Sequence, residues 1–309
     1  MNLQQLEYVL AVERHRHFAK AAASCHVTQP TLSMMIQKLE EELEIKIFDR
    51  SKHPVVPTPN GDLVIGQARK ILLEVSRLHD ILRQQKKSLT GNLRVGIIPT
   101  LAPYLVHRFI NRFLEKYPGV QLFVSEHVTS AIIKRLKKNQ LDVGILVSPL
   151  HDPHVRETPL FYEPLYVYSS HSYEKQYLLP EDIAPEELLL LEEGHCLRSQ
   201  IMNLCELRRS NSRFNYQSGS LETLMRLVGT GQGVTILPAL AVETLSTEQR
   251  QHIFPFSAPV PMREVSLATH RDFLKNDLIA ALKAEILEGI PDQFKIKAEM
   301  LRLEIHQSS

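Results

Sequence analysis

Ser24-Cys25-His26-Val27-Thr28-Gln29-Pro30-Thr31-Leu32-Ser33 reads as a tight turn that enters a helix. Thr28 suits the N-cap, and Pro30 suits the first turn, where its missing N–H costs nothing. The spacing predicts a helix from Pro30 to Glu42 that buries Leu32, Ile36 and Leu39. It would expose Thr31, Ser33, Met34 and Gln37, with Gln29 exposed at its entry. Upstream, Leu3, Leu6, Val9, Leu10 and Val12 make one helical stripe, and a second helix covers Phe18 to Ala23. Short polar side chains near a helix start can reach base edges and phosphates, so the arrangement is a helix-turn-helix pattern. Downstream, Ile47 to Gly61 carries Pro54, Pro57 and Pro59 and suits a two-stranded wing, with Arg50, Lys52 and His53 at its tip able to hold phosphate. Charge does not decide the matter, because residues 1–60 hold seven basic and seven acidic side chains. The acids gather at Glu40 to Glu44 while the bases spread over turn and wing; a small helical domain with no DNA role fits the same spacing.

The whole chain has 309 residues, 43% of them hydrophobic, with a net charge of +1. That length buries a sizeable core and divides into more than one domain. There is no run of eighteen apolar residues, so no membrane span is expected. The opening residues lack a basic region followed by an apolar run, which predicts a cytoplasmic protein. From Gly61 to Ser88 a single apolar stripe (Leu63, Ile65, Ala68, Ile71, Leu72, Val75, Leu78, Leu82) marks a long helix that is expected to pair with a second copy; packing on the chain's own wing is the competing reading. Ser88 to Gly91 reads as a hinge. Strand and helix patterns then alternate. The first set is Leu93–Ile98, Pro103–Tyr117, Val120–Ser125, Thr129–Lys138 and Val143–Val147. The second is Leu165–Ser169, Leu188–Leu191, a two-cysteine helix, Phe214–Gln217, Ser220–Val228 and Val234–Leu237. Val265–Thr269 and a helix from Phe273 would return to the first set. The fold class is α/β with parallel layers. The predicted domains are a winged helix-turn-helix (1–60), a linker helix and hinge (61–90), and a regulatory domain (91–309) of two subdomains, 91–162 with 264–300 and 163–263.

Cys196 and Cys205 lie nine positions apart, and the chain's remaining cysteine is Cys25. In a helix that spacing separates the Cα atoms by about 13 Å, whereas a disulfide needs roughly 4.4–6.8 Å. Oxidation would therefore have to rearrange the helix. A thiolate attacks peroxide, and helix starts and neighbouring cations favour thiolates. Cys196 begins the helix, follows His195 and precedes Arg198 by two residues, so it is the candidate peroxidatic residue and Cys205 the resolving one. Inert buried cysteines are the competing reading, zinc spacing is absent, and no metal or cofactor is expected. Cys25 reads as a packed core thiol.

Ala21-Ala22, Thr28 to Ser33, Ile36-x-Lys38-Leu39-Glu40, Leu43 and Phe48-x-Arg50 resemble the winged helix-turn-helix of LysR-type transcriptional regulators. Leu191 to Arg198, Cys205, Ser220 to Leu224 and Gly233 to Val242 resemble the OxyR group of that family, as do Glu7-Tyr8, His15 to Phe18 and Ile98-Pro99-Thr100. The resemblance covers Met1 to about Arg271. It implies a two-subdomain regulatory domain like periplasmic binding proteins and a non-enzymatic, peroxide-sensing activator of oxidative-stress genes. It further implies a Cys196–Cys205 disulfide, with Thr100, Thr129, His195, Gln200 and Arg271 binding or activating peroxide. Promoter DNA contacts would come from Thr28, Gln29, Pro30, Thr31, Ser33, Gln37, Arg50, Lys52 and His53. Partners by the same resemblance are a homodimer or homotetramer, RNA polymerase and a resetting thiol reductant. Ser199 stands where the group carries an acid, and Met34-Met35 replaces smaller or polar residues. A metabolite-responsive LysR-type regulator with redox-inert cysteines is the alternative within the class; a peroxidase using Cys196 and a transport-type binding protein are the alternatives outside it.

Overall fold

The computed structural model describes residues 1–84, 89–205, 218–271, 273, 276–295 and 301–302. The chain divides into two compact units, Met1–Ser88 and Leu89–Ser309. Among the described residues no helix is long and apolar enough to cross a membrane.

The first unit contains α1 (Leu3–His15), α2 (Phe18–Ser24), α3 (Gln29–Glu42), β1 (Phe48–Asp49), β2 (Val56–Pro57) and α4 (Pro59–Gln84). An Asn2–Gln5 capping box starts α1, and Thr28 caps α3 by accepting from the Thr31 amide. Leu32, Ile36 and Leu39 are buried against Leu6, Val9 and Val12 of α1 and Ala21 and Ala22 of α2, as the 3.6-residue spacing requires. Strands β1 and β2 pair antiparallel as a short wing. Gly61 lets α4 approach the wing's entry; a Cβ there would stand 1.9 Å from the Ile47 carbonyl oxygen. The stripe on α4 divides. Ile65 and Ala68 are buried in the same core as α1, with Ile71 and Leu72 packed beside them, and Arg69 pairs with Glu13 at 2.8 Å. The first half of this helix therefore packs within its own chain, but chiefly on α1, with the wing that the competing reading named a lesser neighbour. Leu63 and Leu78 are 73% and 59% exposed, while the Leu82 side chain, residues 85–87 of the expected helix and residue 88 of the expected hinge lie outside the described residues.

The second unit begins with β3 (Gly91–Ile97), α5 (Ala102–Lys116), β4 (Val120–Glu126), α6 (Thr129–Lys137) and β5 (Val143–Ser148). It continues with β6 (Val155–Ser169), α7 (Cys196–Leu204), α8 (Leu221–Gly229), β7 (Val234–Pro238), α9 (Ala239–Val242), α10 (Thr247–Arg250) and β8 (Ile253–Pro255). Strand β9 (Pro261–His270), α11 (Asn276–Glu288), α12 (Asp292–Lys295) and β10 (Leu301–Arg302) follow. The sheet order is β4-β3-β5-β9-β6-β7, with β10 on β9 and β8 on β6. Only part of it matches the parallel layers expected from alternation. Strand β3 is parallel to β4 and β5, whereas β9 is antiparallel to β5 and β6, and β6 is antiparallel to β7 and β8. Leu188–Leu191 forms isolated bridges to Val234 and Ser218 and no strand, and the expected strand Phe214–Gln217 lies outside the described residues.

Two long strands tie the sheet's halves together. Residues 155–164 of β6 pair with β9, and residues 165–169 pair with β7. The ladder runs unbroken through Tyr162 opposite Glu264 and Glu163 opposite Arg263, the place where the sequence suggested a subdomain boundary.

Candidate functional site

Three loops meet at that crossing. Thr100 follows β3 and Thr129 opens α6 after β4, so both sit off the carboxyl ends of parallel strands, where open α/β sheets place ligands. The third contribution is the start of α7. Gly194, at φ +96°, makes the left-handed turn that favours glycine, His195 is the N-cap, and Cys196 is the first helical residue. Thr100, Thr129, His195, Cys196 and Gln200 are all buried.

Arg263 is the cation of this site. Its side chain and that of Glu163 are both 0% exposed. Nε and Nη2 donate to Glu163 Oε2 at 2.8 and 2.7 Å, Nη1 donates to Thr100 Oγ1 at 3.1 Å, and Nη2 donates to the Thr100 carbonyl at 3.2 Å. The other Glu163 oxygen accepts from the Leu240 amide of α9 at 2.7 Å. The charges of Arg263 and Glu163 are thus paired and hydrogen-bonded, the condition under which burial is tolerated.

Burial pushes the Cys196 thiol up. Opposing it are the Arg263 charge, the Thr129 hydroxyl, and the amides of Leu197 and Cys196 at the helix start. Thr129 Oγ1 is buried with no closed hydrogen bond of its own, so its hydroxyl is available to the thiol. The cations expected from sequence proximity do not fill this role. Arg198 donates to the Leu191 carbonyl at 2.8 Å. Burial lowers the His195 pKa, with Glu192 at 3.8 Å opposing it, so the imidazole is neutral near pH 7 and offers one donor and one acceptor.

Arg271 is not brought to the thiol. It is exposed, its amide donates to the His154 carbonyl at 2.9 Å, and its guanidinium reaches the Pro153 carbonyl at 3.5 Å. Eight residues of extended strand, about 26 Å, separate it from Arg263. No spacing in the sequence marks Arg263; only the β6–β9 register brings it into place.

Cys196 and Cys205 are both free, at the first residue and the C-cap of α7. Cys205 is half-buried, and burial first, then Glu181, push its thiol up to about 11. Leu197 and Ile201 are buried between them. The intact helix holds the two Cα atoms about 13 Å apart, beyond disulfide reach. Among the described residues no three His, Cys, Asp or Glu side chains gather to hold a metal ion.

In the first unit, Thr28, Gln29, Pro30, Thr31 and Gln37 are exposed, whereas Ser33 is half-buried. Arg50 does not reach outward from the wing tip as expected. It donates to Ser33 Oγ at 3.2 Å, pairs with buried Glu40 at 3.1 Å and lies 5.0 Å over the Phe18 ring. Glu40 also accepts from the Ile47 and Phe48 amides at 2.8 and 3.3 Å, so this carboxylate fastens the wing to α3. Lys52 and His53 are exposed in the wing loop, with Lys52 Nζ 3.9 Å from Asp49.

Residues 3–62 match the model for the bacterial regulatory helix-turn-helix protein, lysR family, and residues 86–290 match the LysR substrate binding domain. The DNA-binding transcriptional dual regulator OxyR of Escherichia coli K12 is 38% identical over 270 residues, covering 86% of this chain and 88% of that protein. The chain belongs to the OxyR group of the LysR family. A probable hydrogen peroxide-inducible genes activator of Streptomyces viridosporus is 33% identical, covering 94% of this chain and 95% of its own. A full-length OxyR variant from Pseudomonas aeruginosa superposes with a TM-score of 0.78 at 35% identity, over 93% of this chain and 98% of that one. A peroxide-bound OxyR mutant from Corynebacterium glutamicum gives 0.60 at 28% identity, over 93% and 92%. These relatives are named as regulators, and a DNA-binding regulator is what the helix-turn-helix unit makes of this OxyR-like chain.

Proposed function

We propose that this chain is a cytoplasmic, peroxide-responsive transcriptional activator whose switch is Cys196. In the first step the Cys196 thiolate attacks one oxygen of hydrogen peroxide. The O–O bond breaks, the sulfur is oxidised to a sulfenic acid, and the departing hydroxide takes a proton to leave as water. In the second, the Cys205 thiolate displaces hydroxide from that sulfur, giving the disulfide and a second water. The observation that carries this reading is the convergence on one buried thiol of a guanidinium, a threonine hydroxyl and helix-start amides. All three stabilise negative charge where it develops. Thr100 positions Arg263, and His195 and Gln200 line the same buried end of α7. Disulfide formation must open α7, and that change, carried by homodimers or homotetramers on promoter DNA, alters contacts with RNA polymerase; a thiol reductant resets it.

Burial of Cys196 favours one other reading, a metabolite-responsive regulator with inert cysteines. Mass mapping of the reduced protein after one equivalent of peroxide separates the two. A Cys196–Cys205 linkage that forms within seconds and is lost in Cys196→Ser supports the switch. Thiols that remain unmodified overturn it.

A further inference from the structure

The reading face of α3 is less polar than its sequence suggests. The Thr31 hydroxyl is held by Thr28 at 2.8 Å, Ser33 receives Arg50, and Gln37 Nε2 donates to Glu41 at 2.9 Å. Each of these side chains thus spends one hydrogen bond inside the protein, which leaves fewer polar groups to face outward. Among them stands Met34, 50% exposed, while its neighbour Met35 packs against the core. Met34 shares a helix face with Pro30, one turn before it, and Gln37 and Lys38, one turn after. An unbranched thioether adapts its shape to whatever apolar surface it meets. In the major groove the apolar feature of a base edge is the thymine 5-methyl group.

We propose that Met34 is a specificity-determining residue that packs on a thymine methyl in each operator half-site. This rests on the reading of α3 as the groove-binding helix. Burying one methyl group corresponds to about a fourfold change in affinity.

The test uses the full-length protein and its Met34→Ala variant, whose exposed alanine suits a helix. Each selects sites from a randomised duplex library at one fixed salt concentration. Every thymine of the wild-type site is then replaced singly by deoxyuridine, which lacks only the methyl, and affinity is read by fluorescence anisotropy. The expected result is one thymine per half-site where uracil weakens wild-type binding about fourfold but leaves Met34→Ala binding unchanged, with thymine preference at that position lost in the variant's selection. The proposal is overturned if uracil losses are the same in both proteins, or if no thymine shows one. A wild-type protein that selects no sequence at all overturns the α3 reading itself, a different and distinguishable failure.

Discussion

Replacing Ile201 with valine weighs how much of α7 comes apart on oxidation. Ile201 is 2% exposed and lies midway between the two cysteines, on the face it shares with fully buried Leu197. Removing one buried methylene costs about 0.5–1.5 kcal/mol. If the disulfide opens the turns between residues 196 and 205, Ile201 leaves its packing in the oxidised protein, and that loss falls on the reduced form alone. Reduction of the disulfide then releases less free energy, so the potential becomes more negative. For a two-electron couple 1.4 kcal/mol corresponds to about 30 mV, which places the shift at about 10–30 mV. The assay equilibrates full-length protein in a series of glutathione redox buffers, alkylates free thiols and measures the oxidised fraction. Ile286→Val in α11, at a fully buried position, is the control: it should lower stability by a similar amount in both redox states and leave the potential unmoved. An Ile201→Val potential equal to wild type, in protein shown by urea unfolding to have lost reduced-state stability, refutes the claim that this side chain leaves its packing.

Three further outcomes follow from the same structure. Thr129→Val removes a buried hydroxyl that has no closed hydrogen bond, so thermal stability should hold or rise slightly while peroxide reactivity falls at least about tenfold; a parallel loss of both would make Thr129 a packing residue. Because burial holds the Cys196 thiol above its ordinary value and the thiolate is the reactive form, the rate of peroxide reaction in a Cys25→Ser, Cys205→Ser protein should climb about tenfold per unit from pH 6 to 8 without a plateau. His195, held low by burial, adds little to that profile, and a rate constant flat across the window would show the thiolate already formed. Leu78→Glu on the exposed face of α4 should shift sedimentation of the full-length protein toward smaller species, and an unchanged distribution would place the subunit contact elsewhere.

What could be read from sequence was local. Thr28, Pro30 and the Leu32, Ile36, Leu39 stripe set the cap, entry and buried face of α3 within fifteen residues, and the structure keeps each of them. The role of Glu40 could not be read from its place in a run of acids; only the return of the wing gives it two amides and Arg50. Strand β6 was half missed because Pro159 and Pro164 interrupt its pattern, and the register shifts between Pro159 and Phe161. His195 and Arg198 were assigned to Cys196 by adjacency along the chain, but at a helix start the residue two positions on points away from its neighbour. The cation whose charge reaches the thiol comes from 67 positions later, through pairing of β9 with β6. No local pattern carries that information.

Under the proposed chemistry, the pairing of Arg263 with Glu163 bears on selectivity as well as stability. A free buried guanidinium would hold Cys196 as a thiolate open to any electrophile; one neutralised by Glu163 and bonded to Thr100 leaves burial as the dominant influence, and the resting thiol stays protonated. Hydrogen peroxide is small and uncharged, so it can enter a site closed to anions and bulky reagents. During O–O cleavage negative charge moves from the sulfur to the departing oxygen, and under this proposal the groups that meet it are those beside the thiol, Thr129, the α7 amides and Arg263. On that proposal the resting thiol is quiet and stabilisation is called on as charge develops in the transition state, which is the differential that accelerates a reaction. The same Glu163 accepts from the Leu240 amide, so one carboxylate links Arg263 to the start of α9.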